Sequence, residues 1–210
     1  MMDRSKRQAL ATLAKLAALA GSAALFGSAI SKAAASDRDI VLFYSSKYGA
    51  TLDTAQWIAK AVDRPVKVVS IAEADRVAEV FNTSAQYVLG SAVFKEQPML
   101  VMQAFVEEYK SILDGRTLAS FVVCGTQADS DKNKQRIAGY LEKLTLPLLH
   151  RPELNQHFGG RLVVANLTEE DHQLLERFYT KVLKKPLVDW DRTDREAVIQ
   201  WAQAKLGFRD

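Results

Sequence analysis

Short apolar runs rich in β-branched residues alternate with stretches of helical period from Asp39 to the end of the chain. The runs predict five strands, at residues 40–45, 66–71, 87–92, 118–125 and 161–166. They are almost continuously apolar, as expected for parallel strands that helices cover on both faces. The alternation therefore predicts an α/β fold in which one domain forms a doubly wound parallel sheet.

Helical segments with one apolar face separate the predicted strands. Residues 51–62 place an apolar face on one side of a helix, formed by Thr51, Ala55, Ile58, Ala59 and Val62. Pro98 is expected in the first turn of a second helix, where proline is tolerated. The core-facing stripe of that helix consists of Met102, Phe105, Val106, Tyr109, Ile112 and Leu113.

Two capping-box patterns lie near the C-terminus. The spacing of Thr168 with Asp171, and of Thr193 with Glu196, predicts helices at about 169–184 and 194–206. Residues 146–160 contain two prolines and two glycines, and we expect them to form one long irregular connection.

Composition and charge restrict the class of protein. The 210 residues are 48% hydrophobic and 25% charged, which suffices for one buried domain and a short appendage. The net charge of +3 is uneven, because residues 1–35 carry five basic residues and one acidic residue. From Ser36 onward 23 basic residues face 24 acidic ones, so we expect no nucleic-acid binding. The single cysteine, Cys124, excludes an intramolecular disulfide.

The first 35 residues have the three parts of a signal peptide. A charged start at residues 3–7 precedes an uncharged run at 16–30, and residues 33–35 are alanines that a signal peptidase can recognise. We expect cleavage after Ala35, which leaves residues 36–210 as a periplasmic domain. A retained leader that anchors the protein in the membrane is the alternative, although the run is short for a spanning helix. Residues 5–10 resemble the motif of twin-arginine signals, with Lys6 at the first arginine position, and this implies export in the folded state; an ordinary secretion signal is the alternative.

The first predicted strand runs into a short polar turn, and a helix begins directly after it. The turn and the first residues of the helix are Ser46, Lys47, Tyr48, Gly49, Ala50 and Thr51. Free backbone N–H groups, the helix dipole and the hydroxyls favour an anion at such a turn. Neither the P-loop spacing nor the G-x-G-x-x-G spacing is present. With one glycine, the turn suits a single phosphate better than an extended pyrophosphate.

Residues 43–51 resemble the phosphate-binding loop of the flavodoxin family, in which hydroxyl residues are followed by glycine, one residue and threonine. Ser46, Gly49 and Thr51 match this pattern. Lys47 and Tyr48 replace the usual threonines, and Ala50 stands where asparagine or glutamine is frequent. The resemblance implies FMN as the cofactor, with its phosphate at this loop. It also implies a flavodoxin-like five-stranded parallel sheet of order 2-1-3-4-5, with helices on both faces.

In this architecture the ligand lies beyond the carboxyl ends of the strands, where the strand order reverses. The resemblance therefore implies that two further loops flank the flavin ring. The first contributes Ser91, Ala92, Val93 and Phe94, and the second contributes Cys124, Gly125, Thr126 and Gln127. Phe94 is the expected stacking partner, because the second loop has no aromatic residue.

Residues 89–95 and 188–190 are similar to the flavodoxin-like subgroup that contains the flavodoxin-type protoporphyrinogen oxidase. That subgroup works with membrane quinones from the cytoplasmic side, whereas the leader predicts export. We therefore expect an exported FMN-binding oxidoreductase or electron-transfer protein, linked to a redox partner protein, a membrane quinone or a porphyrinogen. No general acid, base or nucleophile is evident beside the loop.

Two other functions stay open. A pure electron shuttle is disfavoured by the near-neutral mature charge, because charge complementarity steers such encounters. A cofactor-free flavodoxin-like binding or assembly module is the alternative that the departures at Lys47, Tyr48 and Ala50 support.

Other chemically capable residues have simpler interpretations. Cys124 is interpreted as a small residue that packs in the core. The three histidines, His150, His157 and His172, are interpreted as surface or structural residues, and we expect no metal ligation by them. Trp57, Trp190 and Trp201 are interpreted as packing residues. The cluster of Lys181, Lys184 and Lys185 is interpreted as a helix C-terminus that complements its dipole, with contact to anionic lipid as the second interpretation.

Overall fold

The computed structural model describes residues 39–81 and 85–207. The predicted signal peptide, residues 1–35, lies outside the described residues. Among the residues that are described, no helix is both long enough and apolar enough to span a bilayer.

Five parallel strands form the central sheet. They are β1 (Ile40–Ser45), β2 (Val66–Ser70), β3 (Gln86–Phe94), β5 (Thr117–Cys124) and β6 (Leu154–Gly159). Their order in the sheet is β2-β1-β3-β5-β6, and all neighbours pair in parallel. When only these five parallel strands are numbered along the chain, their order in the sheet is 2-1-3-4-5. The predicted fold is therefore confirmed.

Helices cover both faces of the sheet. They are α1 (Ala50–Ala61), α2 (Ala74–Val80), α3 (Leu100–Glu108), α4 (Lys110–Leu113), α5 (Asp131–Thr145), α6 (Glu169–Phe178) and α7 (Arg195–Leu206). A 3-10 helix at Val164–Asn166 precedes α6, and a π-helix at Tyr179–Leu183 follows it.

Alternation along the strands divides the core into two clusters. Val41 and Phe43 of β1 belong to one cluster, which α2, α3 and α5 cover. Ile40 and Leu42 belong to the other, which α1 and α7 cover. Because successive side chains of a strand point to opposite faces, a strand buried on both faces must be apolar throughout. This is why the central strands could be predicted from their apolar runs.

The fifth strand was predicted at the wrong place. Residues 161–166 were expected to form it, but β6 lies within residues 146–160, which were expected to be irregular. β6 is an edge strand with the sequence LNQHFG, in which only Phe158 is fully buried. An edge strand needs little apolar surface, because its backbone hydrogen bonds to β5 hold it in place. Arg161 and Leu162 form β7, which pairs antiparallel with β8 (Trp190–Asp191) in a separate small sheet.

Two helix starts also differ from the prediction. Pro98 lies before α3, in the short strand β4 (Gln97–Pro98), which pairs antiparallel with the end of β3. The last helix is capped by Asp194, whose side chain accepts from the N–H of Ala197, and not by Thr193. The predicted cap at Thr168 is confirmed, since its hydroxyl accepts from the N–H of Asp171 at 3.3 Å.

Candidate functional site

A cleft of about 160 Å³ lies beyond the carboxyl ends of β1, β3 and β5. The structure brings ten of the predicted site residues to its walls: Ser46, Lys47, Tyr48, Ala50, Thr51, Ala92, Val93, Phe94, Cys124 and Gly125. Gly49 contributes backbone to the same loop, whereas Ser91, Thr126 and Gln127 do not line the cleft. Three separate loops thus meet at the place that the strand order predicts.

Gly49 gives the loop of residues 46–51 its shape. Its φ is +90°, a conformation in which a side chain would be strained, and its N–H donates to Ser46 Oγ at 3.1 Å. No side chain caps the first turn of α1. Within the described residues, the N–H groups of Lys47, Tyr48 and Ala50 donate to no acceptor. These groups are therefore available to an anion at the start of the helix.

Thr51 has a buried hydroxyl with no hydrogen-bond partner. The residue is 1% exposed, and its Oγ1 has no acceptor or donor among the described residues. Thr54, on the same helix and equally buried, donates to the carbonyl oxygen of Ala50 at 3.0 Å. Leaving a buried hydroxyl unpaired costs about 1–3 kcal/mol. A ligand oxygen that pairs with Thr51 Oγ1 would recover that cost.

Asp171 is a buried carboxylate beside the same loop. It lies in the first turn of α6, is 3% exposed, and contacts the ammonium of Lys47 and the hydroxyl of Tyr48. Burial acts to raise the pKa of Asp171, but the hydrogen bonds from Lys47 and Tyr48 outweigh it and hold the pKa below its usual value. Burial, followed by the bond to Asp171, raises the pKa of Tyr48. Asp171 is therefore charged at neutral pH and ties α6 to the loop.

Phe94 lies at the end of β3, just before a tight turn. The turn residues Lys95 and Glu96 have φ of 52° and 63°, and Glu96 accepts from the hydroxyl of Tyr140 at 2.8 Å. The ammonium of Lys47 lies 4.1 Å from the centre of the Phe94 ring. Lys47 therefore joins the 46–51 loop to both Asp171 and Phe94.

Ser91 has a structural place in the same hairpin. It is fully buried, and its Oγ lies 3.1 Å from Ser45 Oγ and accepts from the N–H of Met99 at 3.1 Å. Met99 is the residue before α3. Ser91 thus holds together β1, β3 and the start of α3 and does not face the cleft.

Trp190 also lines the cleft and packs against Gly125. A Cβ on Gly125 would lie 2.6 Å from Cη2 of Trp190, so only glycine permits this contact. The indole N–H donates to the Tyr179 hydroxyl at 2.7 Å, and the guanidinium of Arg192 lies 4.7 Å from the centre of the ring. Arg192 also donates to the carbonyl oxygen of Gly125. The aromatic residue that the second flanking loop lacks is therefore supplied by β8.

Thr126 binds a histidine of the neighbouring strand. His157 Nε2 lies 2.9 Å from the Thr126 carbonyl oxygen, so the ring donates from Nε2. Burial lowers the pKa of His157, which keeps the ring neutral. Burial also raises the pKa of the Cys124 thiol, whose Sγ is 3.8 Å from the same oxygen. Neither residue presents an ionised group to the cleft at neutral pH.

Sequence reasoning missed the wall formed by residues 160–190. This segment contributes Gly160, Arg161, Leu162, Leu167, Leu175 and Trp190. Arg161 pairs with Asp53 of α1 at 2.6 Å, and its Nη2 lies 3.4 Å from the Cβ position of Gly49, so it adds positive charge beside the loop. The capping box did single out Asp171, but it predicts only a helix cap. Trp57 and Trp201 pack against the core as predicted.

The residues described by the structure contain no group of three or more histidine, cysteine, aspartate or glutamate side chains that could hold a metal ion. The polar side chains that line the cleft include the hydroxyls of Ser46, Tyr48 and Thr51 and the cations of Lys47 and Arg161. Hydroxyls and cations of this kind can donate to anionic oxygen.

Comparison with protein families gives one match. The family described as Flavodoxin domain matches residues 41–186, which is more than half of the chain. No curated protein matches the chain.

Several solved structures are similar to this chain. Oxidised Flavodoxin 1 from Bacillus cereus is 16% identical, with 70% of this chain and 97% of that chain covered and a TM-score of 0.42. A flavodoxin, WrbA-like protein from Agrobacterium tumefaciens is 13% identical, with 80% and 98% covered and a TM-score of 0.37. The rubredoxin oxygen:oxidoreductase from Desulfovibrio gigas is 15% identical, with 80% of this chain covered and a TM-score of 0.40. This chain spans 37% of the length of that enzyme.

Proposed function

Because the chain belongs to the Flavodoxin domain family, we propose that its cleft binds FMN and that the protein is a flavin-linked oxidoreductase or electron-transfer protein. The observation that carries the proposal is the Thr51 hydroxyl, which is buried without a partner at the start of α1. The phosphate of FMN is an acceptor that one hydroxyl and a few N–H groups at a helix start can bind.

The residues of the 46–51 loop fit a phosphate group. Thr51 Oγ1, Ser46 Oγ and the unpaired N–H groups of Lys47, Tyr48 and Ala50 would hold it. Arg161 lies beside Gly49 and supplies positive charge at the same end of the cleft.

The cleft also offers aromatic surface to a flat ring. Phe94 and Trp190 both line it, and apolar side chains such as Val93 and Leu162 would shield the ring from water. The ammonium of Lys47 covers one face of Phe94 and is paired with Asp171, so that face would be open to a ring only if Lys47 moved off it, toward Asp171 or the phosphate.

FMN, when bound, supplies one-electron and two-electron transfer, and the chain supplies binding, orientation and electrostatics. Cys124 is assigned no covalent role, because burial keeps its thiol protonated. Lys47 and Arg161 are ion-paired with Asp171 and Asp53. Arg192, which lies over Trp190 and forms no ion pair among the described residues, would add positive charge that favours a reduced, negatively charged ring.

A cofactor-free binding module is the second candidate function, and one observation favours it. Asp171 already engages Lys47 and Tyr48, so the loop side chains have an internal carboxylate as their partner. In that case the loop would be a structural joint between α1 and α6.

Titration of the protein with FMN and with riboflavin separates the two candidates. Riboflavin has the same ring and lacks the phosphate. The FMN proposal predicts saturable quenching of flavin fluorescence, with FMN bound at least about tenfold more tightly, since hydrogen bonds to a charged group contribute about 1.5–3 kcal/mol. Equal affinity for both ligands would contradict a phosphate site, and absence of binding to either would favour the cofactor-free module.

We also propose that the protein is exported to the periplasm and exchanges electrons with a redox protein, a membrane quinone or a porphyrinogen. The support for export is the signal-peptide pattern of residues 1–35. Mass spectrometry of the periplasmic fraction should find a chain that begins at Ser36, whereas a full-length chain in the membrane fraction would favour the anchored alternative. Rates of reoxidation of the reduced flavoprotein by a soluble quinone and by a small electron carrier would rank the partners.

A further inference from the structure

Four large apolar side chains are exposed within the segment of residues 177–188. The exposed fraction is 41% for Phe178, 64% for Val182, 42% for Leu183 and 55% for Val188. Phe178 and Val182 are four residues apart in helical backbone, so they are neighbours on the helix surface. Single exposed apolar residues are ordinary, but a cluster of this kind marks an interaction surface.

The same segment is strongly basic. It contains Arg177, Lys181, Lys184 and Lys185 and no acidic residue. All three lysines are exposed, and none forms an ion pair with any residue of 39–81 or 85–207. This positive charge stands out in a domain whose net charge from Ser36 onward is about −1.

Among the described residues, the nearest acidic residues along the chain form no ion pair with the basic residues of the segment. Glu176 lies 4.0 Å from the ring of His172, one turn earlier in α6. Asp189 accepts from the N–H of Val164 at 2.8 Å. The three acidic residues of the first turn of α6 lie at the opposite end of that helix, about 10 Å or more away at a rise of about 1.5 Å per residue.

The segment is fixed to the wall of the cleft. The N–H of Lys185 bonds to the Tyr179 carbonyl oxygen at 3.1 Å, which closes the π-helix. The hydroxyl of Tyr179 accepts from the indole of Trp190 at 2.7 Å. The exposed apolar and basic side chains are therefore presented by ordered backbone next to the site, rather than by a free tail.

We propose that residues 177–188 form a surface that binds anionic lipid bilayers. Lysines attract the negatively charged headgroups, and apolar side chains between them enter the interface, which is how amphipathic segments lie on membranes. An acidic protein would also match the lysines, and it is one outcome of the vesicle test; lysines interspersed with protruding apolar side chains along one short helical segment are the pattern of segments that lie on anionic bilayers. A bilayer accounts for both features.

Sedimentation of the full chain with vesicles tests the proposal. Vesicles of phosphatidylcholine mixed with phosphatidylglycerol are compared with vesicles of phosphatidylcholine alone. The triple variant Lys181→Gln, Lys184→Gln, Lys185→Gln should lower the partition onto the mixed vesicles by at least about tenfold, because each basic residue near an anionic surface contributes about 1 kcal/mol. The double variant Phe178→Ser, Val182→Ser should lower it as well.

Matched controls separate this surface from overall charge. Lys60, Lys67 and Lys143 are exposed lysines elsewhere on the domain without ion pairs among the described residues, and their triple change to glutamine removes the same charge. Leu149, 88% exposed on another loop, changed to serine, is the apolar control. Every variant retains residues 1–35, and the same series is repeated on the chain that begins at Ser36, so that vesicle binding by the basic leader is separated from binding by residues 177–188.

The expected result is binding to the mixed vesicles that the 177–188 variants lose and the controls keep. Four results would overturn the proposal: no binding of the unmodified chain to mixed vesicles, equal binding to neutral vesicles, equal losses in the controls, or full binding by both 177–188 variants. Poly-L-glutamate that competes fully with vesicles, together with no effect of the Phe178→Ser, Val182→Ser variant, would assign the surface to an acidic macromolecule instead. Unchanged thermal unfolding of each variant shows that a loss of binding is not a loss of folding.

Discussion

Replacing Thr51 with valine should move two measurements in opposite directions. Valine has nearly the same shape, and it removes a hydroxyl that is 1% exposed and has no partner. The unliganded protein should become more stable by about 1–2 kcal/mol, because the desolvation cost of the hydroxyl disappears. The affinity for FMN should fall by roughly 10- to 150-fold, because a hydrogen bond to a charged phosphate contributes about 1.5–3 kcal/mol.

Urea denaturation of the unliganded protein measures the first change, and titration with FMN measures the second. The affinity for riboflavin should stay the same, since riboflavin lacks the phosphate. Thr54→Val is the matched control, because Thr54 is equally buried on the same helix but bonds to the Ala50 carbonyl oxygen. That variant should lose about 1 kcal/mol of stability and keep its affinity for FMN.

Two results would refute the reasoning about Thr51. A stability loss in Thr51→Val as large as that in Thr54→Val would mean that the hydroxyl has a structural partner. Unchanged FMN affinity would mean that the phosphate, if bound, lies elsewhere.

Three further perturbations test other parts of the site. Asp171→Asn should lower the free energy of unfolding by about 1 kcal/mol, a value kept small because Lys47 is partly exposed. The same change removes a negative charge beside the loop and should therefore strengthen FMN binding. Denaturation and FMN titration measure the two effects, and weaker FMN binding would contradict the reasoning. Gly125→Ala should lower the free energy of unfolding by about 1–3 kcal/mol, because the new Cβ would clash with Trp190. In a double-mutant cycle Trp190→Phe should relieve part of that loss, and additive losses would contradict the contact. Burial lowers the pKa of His157, so the unfolded chain takes up this proton at a higher pH than the folded protein does. The free energy of unfolding should therefore be constant above about pH 6.5 and fall as the pH drops below that value. Unfolding at several pH values should show this slope and a smaller slope in His157→Gln, whereas equal slopes would contradict the reasoning.

The central sheet could be predicted from the sequence because its strands are buried on both faces. Val41 and Phe43 must be apolar for one core, and Ile40 and Leu42 for the other, so β1 appears as an uninterrupted apolar run. The loop after β1 could also be located, because a strand, a glycine at positive φ and a helix start must follow one another closely there.

The edge of the sheet could not be predicted in the same way. β6 is stabilised by backbone bonds to β5 and fully buries only Phe158, so LNQHFG has no continuous apolar run. The segment at 161–166 is more apolar and so predicts a strand, yet it contributes only the two-residue strand β7 to the small sheet with β8.

The fourth wall of the cleft depends on contacts between distant residues. Trp190 meets Gly125 across 65 positions, and Asp171 meets Lys47 across more than 120. A single sequence shows a tryptophan before a helix and an aspartate in a capping box, and both patterns are fully explained by local structure. Their places beside the loops follow only from the path of residues 160–192.

A crystal structure of the chain grown with FMN tests the central claim most directly. The account predicts a phosphate oxygen within hydrogen-bond distance of Thr51 Oγ1 and of the N–H groups of the 46–51 loop, with the flavin ring between Phe94 and Trp190. A loop that keeps Lys47 and Tyr48 on Asp171 and excludes the phosphate, at FMN concentrations that saturate binding in solution, would contradict it.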